Sequence, residues 1–312
     1  MKAEIVFTGK GHAGTQATLE KEFTVHKLFE AQDKDAFLKD LGGKIRGIAS
    51  FGHLKVDGKL MDALPKLEII ANFGVGVDQI NLDDAKARKV IVTNTPDVLN
   101  ECVADTALAL VLCTLRKLPQ SDAYLRTGAW AAKGPYPLTA SLGGKTLGIL
   151  GLGRIGEAIA KRAMACGMTI RYHNRRKKDS PFPYDPDPVA LAKNSDVLMV
   201  VTPGGAETKN LVNSKVLDAL GREGYVCNIA RGSVIDEQAL LRYLQDKKIA
   251  GAGLDVFVDE PKVPPEFFKL ENAVLFPHVG SATVETRKAM GDLQIENLRL
   301  HFSGKPVKTR VV

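Results

Sequence analysis

Residues 146–167, TLGILGLGRIGEAIAKRAMACG, decide how the rest of the chain is read. A short apolar run, TLGIL, leads into Gly151-Leu152-Gly153-Arg154-Ile155-Gly156, and an amphipathic stretch follows. Alone, G-x-G-x-x-G is a weak signal; between a strand and a helix it acquires a mechanism. Gly151 permits the tight turn, Gly153 lets the backbone approach a pyrophosphate, and Gly156 lets helix and strand pack closely. Unpaired N–H groups at the helix start then face the anion. The alternative is an ordinary glycine-rich βα turn, and the flanking strand and helix favour a nicotinamide dinucleotide site over it.

The next apolar run, TIRYH, ends in Asn174-Arg175-Arg176-Lys177-Lys178. Turns of this kind that bind NAD place Asp or Glu about 20 residues on, against the ribose hydroxyls. Here the first carboxylate is Asp179. A carboxylate would repel a 2′-phosphate, whereas two guanidiniums would grip it. A charged hydrogen bond contributes roughly 1.5–3 kcal/mol, so two would prefer NADP(H) to NAD(H) on the order of a hundredfold or more. The competing reading is a solvated basic loop.

Working outward, short apolar runs alternate with amphipathic stretches. Strands are expected at 3–7, 45–51, 69–73 and 90–94, with helices at 35–41, 60–64 and 81–89. A second series places strands at 146–150, 169–173, 197–201, 225–229, 253–256 and 274–276, with 181–188 as a Pro-rich loop. Strands alternating with helices imply βαβ units and parallel sheets. Residues 98–118 form one long apolar-periodic helix, long enough to bridge two domains, and a last helix covers about 284–302.

Composition narrows the class. At roughly 100–200 residues per domain, 312 residues suggest two domains. The hydrophobic share of 45% and charged share of 25% are ordinary for a globular protein. No charge-free apolar run is long enough for a membrane span, and the N-terminus reads as a strand rather than a signal peptide, so a cytoplasmic protein is expected. The four cysteines have neither C-x-x-C pairing nor ligand-spaced His, so neither a disulfide framework nor a metal site is expected. The net charge of +7 is spread along the chain, the dense cluster being 175–178, which argues against a nucleic-acid partner.

Three more segments carry chemistry at predicted strand ends: NIARGSVID with Arg231, GLDVFVDEP with Glu260, and LFPHVGSAT with His278. Each has a bland reading as surface cation, loop carboxylate or structural histidine. Together, at the carboxyl edge of a dinucleotide sheet, they suit 2-oxo acid reduction. An Arg can grip a carboxylate and keto oxygen, a His can protonate the carbonyl oxygen, and a Glu can orient that His and favour its charged form.

The ordered set ANFGVGVDQI, VTNTPDVLNECVADTALAL, LGILGLGRIG, NIARGSVID, GAGLDVFVDEP and LFPHVGSATVETR resembles the D-isomer-specific 2-hydroxyacid dehydrogenases over nearly the whole chain. It is most similar to their glyoxylate/hydroxypyruvate reductase branch, which includes hydroxyphenylpyruvate reductases. The resemblance implies an α/β architecture of two Rossmann-like domains with doubly wound parallel sheets and the active site in the cleft between them. Residues 1–97 plus 284–312 would form the substrate-binding domain and 98–283 the NAD(P)-binding domain. Arg231 would orient substrate, and His278 would donate the proton with Glu260 as its partner. Amides of Val75 and Gly76 in the loop 73–78 would meet the substrate carboxylate, and Leu54 would line the side-chain pocket. Cofactor contacts would fall on Leu152 to Ile155, Asn174 to Arg176, Thr202, Pro203, Ile229, Ala230 and Asp255, with Thr106 as a further candidate.

The same resemblance implies a homodimer joined through the cofactor domains, with the arm LRTGAWAAKGPYPLTASLGGK at the contact. Trp130 would then be an interface anchor or a core residue; in some relatives an aromatic of this arm reaches the partner's active site, and Trp130 and Tyr136 are the aromatics that stand there in this chain. The expected reaction is NADPH-dependent reduction of glyoxylate or hydroxypyruvate to a D-2-hydroxy acid, with aryl-2-oxo acids as the alternative substrates and NAD(H) as the lesser cofactor. Glu260 stands where formate-oxidising relatives carry Gln, which argues against formate. Phosphoglycerate oxidation would need a further cation. A dinucleotide-sensing corepressor, the remaining alternative, would call for disordered tails or recruiting segments that this chain lacks.

Overall fold

A computed structural model describes residues 2–52 and 54–312, and the chain divides into two units. One runs to Leu99 and resumes over Thr283–Val312; the other is Asn100–Ala282. In the first unit, β1 (Glu4–Phe7), β2 (Thr24–Lys27), β3 (Gly47–Ser50), β4 (Ile69–Asn72) and β5 (Ile91–Thr93) form a parallel sheet in the order β2-β1-β3-β4-β5. The three interior strands, β1, β3 and β4, are buried along almost their whole length, as expected when helices cover both faces. The helix Val284–Phe302 buries Gln294, whose Nε2 donates to Ser50 O at 3.0 Å and Ala71 O at 2.8 Å. That bond pair fixes the carboxyl ends of β3 and β4, where the loops reaching Leu54 and residues 73–78 begin.

The second unit holds β6 (Thr146–Leu150), β7 (Thr169–His173), β8 (Val197–Val200), β9 (Tyr225–Asn228), β10 (Gly251–Leu254) and β11 (Ala273–Leu275). All are parallel, in the order β11-β10-β9-β8-β6-β7. Strand order reverses between β6 and β8, so their carboxyl ends form the switch point where open α/β sheets take ligands. Beyond β7 a single parallel bridge, Tyr172 to Tyr184, covers the sheet edge. Counted as a third strand reduced to one bridge, it restores the 3-2-1-4-5-6 order of dinucleotide-binding sheets, with β11 added.

The helix expected over 98–118 runs from Asn100 to Arg116 and lies wholly in this second unit. It buries Val103, Ala104, Ala107, Leu110, Val111, Thr114 and Leu115, the three- and four-residue spacing of one face. It sits so close to β10 that a Cβ on Gly253 would lie 2.4 Å from Thr114 Oγ1. The backbone turns left-handed at Lys117, and two helices the sequence did not reveal, Leu118–Arg126 and Ala129–Lys133, follow. Among the described residues no helix is long and apolar enough to cross a membrane, and no His, Cys, Asp and Glu side chains cluster to hold a metal. Among the described residues no cysteine forms a disulfide; burial pushes the Cys227 thiol up to about 12.

Candidate active site

At the end of β6 the glycine turn takes the shape its sequence predicts. Gly151 has φ +108°, and a Cβ there would lie 2.7 Å from the Thr202 amide at the end of β8. A Cβ on Gly156 would lie 2.6 Å from Gly151 O, so the helix Arg154–Ala165 can approach the turn only without one. Gly153, by contrast, is exposed, and a Cβ there would meet no protein atom within 4 Å. As the N-cap it has no side chain to bond the first-turn amides, and open space over a glycine at a helix start fits a dinucleotide pyrophosphate. Thr202 lies against Gly151, and Pro203 O beyond it accepts from Thr208 Oγ1 at 2.7 Å.

Leu152 and Asn174 behave differently from the rest of the cofactor set. The Leu152 amide donates to Asn174 Oδ1 at 2.7 Å, and Asn174 Nδ2 donates back to Leu152 O at 3.3 Å. Asn174 thus clamps the glycine turn to the loop beyond β7. In that loop Arg175, Arg176 and Lys177 are exposed. Arg175 pairs with Glu207 from the loop after β8, whereas Arg176 makes no ion pair among the described residues.

Arg231, Glu260 and His278 follow the carboxyl ends of the adjacent strands β9, β10 and β11. His278 Nδ1 lies 2.6 Å from Glu260 Oε2, and Glu260 Oε1 accepts the Phe257 amide at 2.9 Å. The Glu260 side chain is 13% exposed and that of His278 40%, so the carboxylate is sheltered while the ring reaches the surface of its unit. His278 has φ +54°, a left-handed conformation that L side chains rarely adopt. Three bonds to Asp255 hold it: the His278 amide donates to Asp255 O at 2.9 Å, and the carboxylate accepts from Val279 at 2.7 Å and Gly280 at 2.9 Å. Burial pushes the Asp255 carboxyl above its usual range, against the pull of those two amides. Thr106 Oγ1 donates to Gly280 O at 3.2 Å from the helix Asn100–Arg116, so it braces the same loop.

Asn228, buried at the end of β9, sets Arg231. Its Oδ1 accepts the Ala230 amide at 2.9 Å and its Nδ2 donates to Arg231 O at 2.9 Å. Ile229 and Ala230 between them are buried, and the Arg231 guanidinium donates to Ala230 O at 2.7 Å.

In the other unit the loop after β4 has its carbonyls engaged. Gly74 O accepts from the Thr95 amide at 3.0 Å, Gly76 O from Asn72 Nδ2 at 2.9 Å, and Val75 O from Asn94 Nδ2 at 3.0 Å. The amides of Val75 and Gly76 find no acceptor among the described residues, so both donors are open to a ligand. Leu54 is half-buried against the core of this unit and lines a groove of about 580 Å³ with Leu28, Leu38 and Leu60. Asn72, Asn94, Thr95 and Asn228 escaped the sequence reading; each is a single polar residue at a strand end, and its role depends on partners that periodicity does not reveal. The arm carries Trp130 at 61% exposed and Leu138 fully exposed, so Trp130 is not a core residue of its own unit.

Comparison with known proteins identifies the family. The family described as D-isomer specific 2-hydroxyacid dehydrogenase, NAD binding domain, matches residues 108–280. A glyoxylate/hydroxypyruvate reductase A of Arabidopsis thaliana is 47% identical over 295 residues, 94% of each chain. A hydroxyphenylpyruvate reductase of Plectranthus scutellarioides is 46% identical over the same shares. The solved NADPH-dependent glyoxylate/hydroxypyruvate reductase of Sinorhizobium meliloti, in complex with NADP and malonate, is 44% identical with a TM-score of 0.93, covering 100% of this chain and 97% of that one.

Proposed function

Because the chain belongs to the D-isomer-specific 2-hydroxyacid dehydrogenases and is an NAD(P)-dependent oxidoreductase, we propose that it reduces small 2-oxo acids, glyoxylate and hydroxypyruvate, to D-2-hydroxy acids with NADPH. The observation that carries this reading is the His278–Glu260 pair beside Arg231, on the same sheet edge as the glycine turn. The chemistry the dinucleotide supplies when bound is a hydride for the carbonyl carbon. Gly151 to Gly156, Thr202 and Pro203 would hold it at the switch point, and Arg176 with Arg175 would take a 2′-phosphate. Arg231 and the amides of Val75 and Gly76 would hold the substrate carboxylate. His278 would deliver a proton to the carbonyl oxygen, so that the ketone gains one hydride and one proton and becomes the alcohol. Glu260 would keep the ring in place and balance its charge.

The NADPH preference rests on the two arginines and the missing carboxylate, and the NADPH-dependent relative supports it. Arg175→Ala/Arg176→Ala should lower kcat/KM for NADPH on the order of a hundredfold and leave NADH within a few-fold, since two charged hydrogen bonds are lost. A wild type that prefers NADH would overturn the preference. The hydroxyphenylpyruvate reductase relative supports a second reading, an aryl-2-oxo acid substrate. Kinetics with glyoxylate, hydroxypyruvate and 4-hydroxyphenylpyruvate, each with both cofactors, separates the two.

We also propose a homodimer through the second unit. Leu118, Leu125, Trp130 and Leu138 are all exposed between residues 118 and 138, and Leu118 and Leu138 line one depression with Tyr136. Apolar side chains gathered on one segment of a surface mark an interaction site.

A further inference from the structure

The loop that carries Arg175 and Arg176 is fastened from below by two phenols. Tyr172, on edge strand β7, is fully buried. Its hydroxyl donates to Lys178 O at 2.8 Å and accepts from the Lys178 amide at 3.1 Å. The ring packs on Tyr184 with centroids 5.4 Å apart, and the Tyr184 hydroxyl donates to Asn174 O at 3.2 Å. Asn174 and Lys178 are the two ends of a five-residue arch, so each end hangs on one hydroxyl. Lys178 Nζ also pairs with Glu157 on the helix of the glycine turn. Between these anchors Arg175, Arg176 and Lys177 project outward and contribute nothing to the core. A buried phenol must find partners, but it need not find both in one exposed loop.

We propose that Tyr172 and Tyr184 are positioning residues for cofactor discrimination: their hydroxyls hold the 174–178 arch in the form that offers the arginines to a 2′-phosphate. The inference rests on the NADPH reading above. NADH has no group for the arch to grip, so loosening the arch should cost NADPH affinity and spare NADH. Tyr172→Phe keeps the ring and its packing and removes one oxygen. The freed main-chain groups of Lys178 lie in an exposed loop and can hydrate, so the arch loosens while the sheet stays intact. Re-ordering a single residue on binding changes affinity by about a factor of ten.

The test titrates NADPH, NADH and adenosine 2′-monophosphate into the full-length protein by calorimetry. It compares wild type with Tyr172→Phe, Tyr184→Phe and Arg175→Ala/Arg176→Ala. Tyr172→Phe should raise Kd for NADPH and adenosine 2′-monophosphate about tenfold and leave NADH within about twofold. Tyr184→Phe should act in the same direction more weakly. Because the Tyr184 side chain is only half-buried, it carries the test if Tyr172→Phe does not fold. Equal losses for both cofactors would overturn the proposal, since that is what a general structural role gives. So would an unchanged NADPH Kd in both Tyr variants while the double Arg variant loses affinity. An unchanged Kd in the double Arg variant would instead overturn the NADPH reading itself.

Discussion

His278 is held in a left-handed backbone conformation that its surroundings impose. Strain of this kind costs of order 1–3 kcal/mol and persists only where neighbouring bonds over-determine it. Here Asp255 supplies three of them and Glu260 a fourth at the ring. With Nδ1 directed at Glu260, Nε2 is the nitrogen that would serve a substrate. Replacing the donor should therefore damage chemistry and not cofactor binding. His278→Ala is expected to lower kcat for reduction by roughly 10²–10⁴, the range of a general acid. Calorimetry should find its NADPH Kd nearly unchanged. The proposed reduction takes up one proton for each hydride, so alkaline pH should disfavour it while oxidation of the hydroxy acid gains. A pH-independent reduction rate, measured where chemistry limits turnover, would remove His278 from the proton path.

Among the elements, the loops after β9 and β10 touch at Gly232. A Cβ there would lie 2.0 Å from Phe257 C and 2.2 Å from its O, so only glycine lets Arg231 and the Glu260 segment come together. Gly232→Ala should lower stability by about 1–3 kcal/mol, as overpacking does. By displacing Arg231 it should also raise KM for the oxo acid more than for the cofactor. Thermal unfolding and steady-state kinetics check both; wild-type values in both would mean the two loops do not meet there. Strands β6 to β11 were legible because buried parallel strands read as apolar runs between glycine and proline turns. Strand β2 was not, since it lies at a sheet edge with no residue fully buried. The helix Ala13–Glu22 buries only Thr15 and Leu19, too few for a period to emerge. Pro119 reads as a stop, yet it sits in the first turn of Leu118–Arg126, where its missing N–H is harmless. The candidate side chains Arg231, Glu260 and His278 could be picked out as residue types at strand ends, and the structure has each of them just beyond one. Asn228, which sets the Arg231 backbone, is a single polar side chain inside an apolar run, and Thr95, which holds the loop after β4, has a partner 21 residues away, so neither was legible.

At the scale of the molecule, the +7 charge is dispersed except at 175–178, in the loop that Asn174 ties to the glycine turn, where the proposed 2′-phosphate contacts fall. The homodimer proposed above rests on the exposed apolar residues of the arm. Sedimentation should give a two-chain mass for the wild type, and Trp130→Asp or Leu138→Asp should shift it toward one chain; a wild type that sediments as one chain would contradict the dimer. The central claim is NADPH-driven reduction of a 2-oxo acid, and its most direct test is the loss of reduced-nicotinamide absorbance when hydroxypyruvate or glyoxylate is added to the purified protein, with NADPH and NADH in parallel. The account predicts turnover with both acids, kcat/KM for NADPH well above that for NADH, and a D-2-hydroxy acid as product. No turnover of either acid, or faster turnover with NADH, would contradict it.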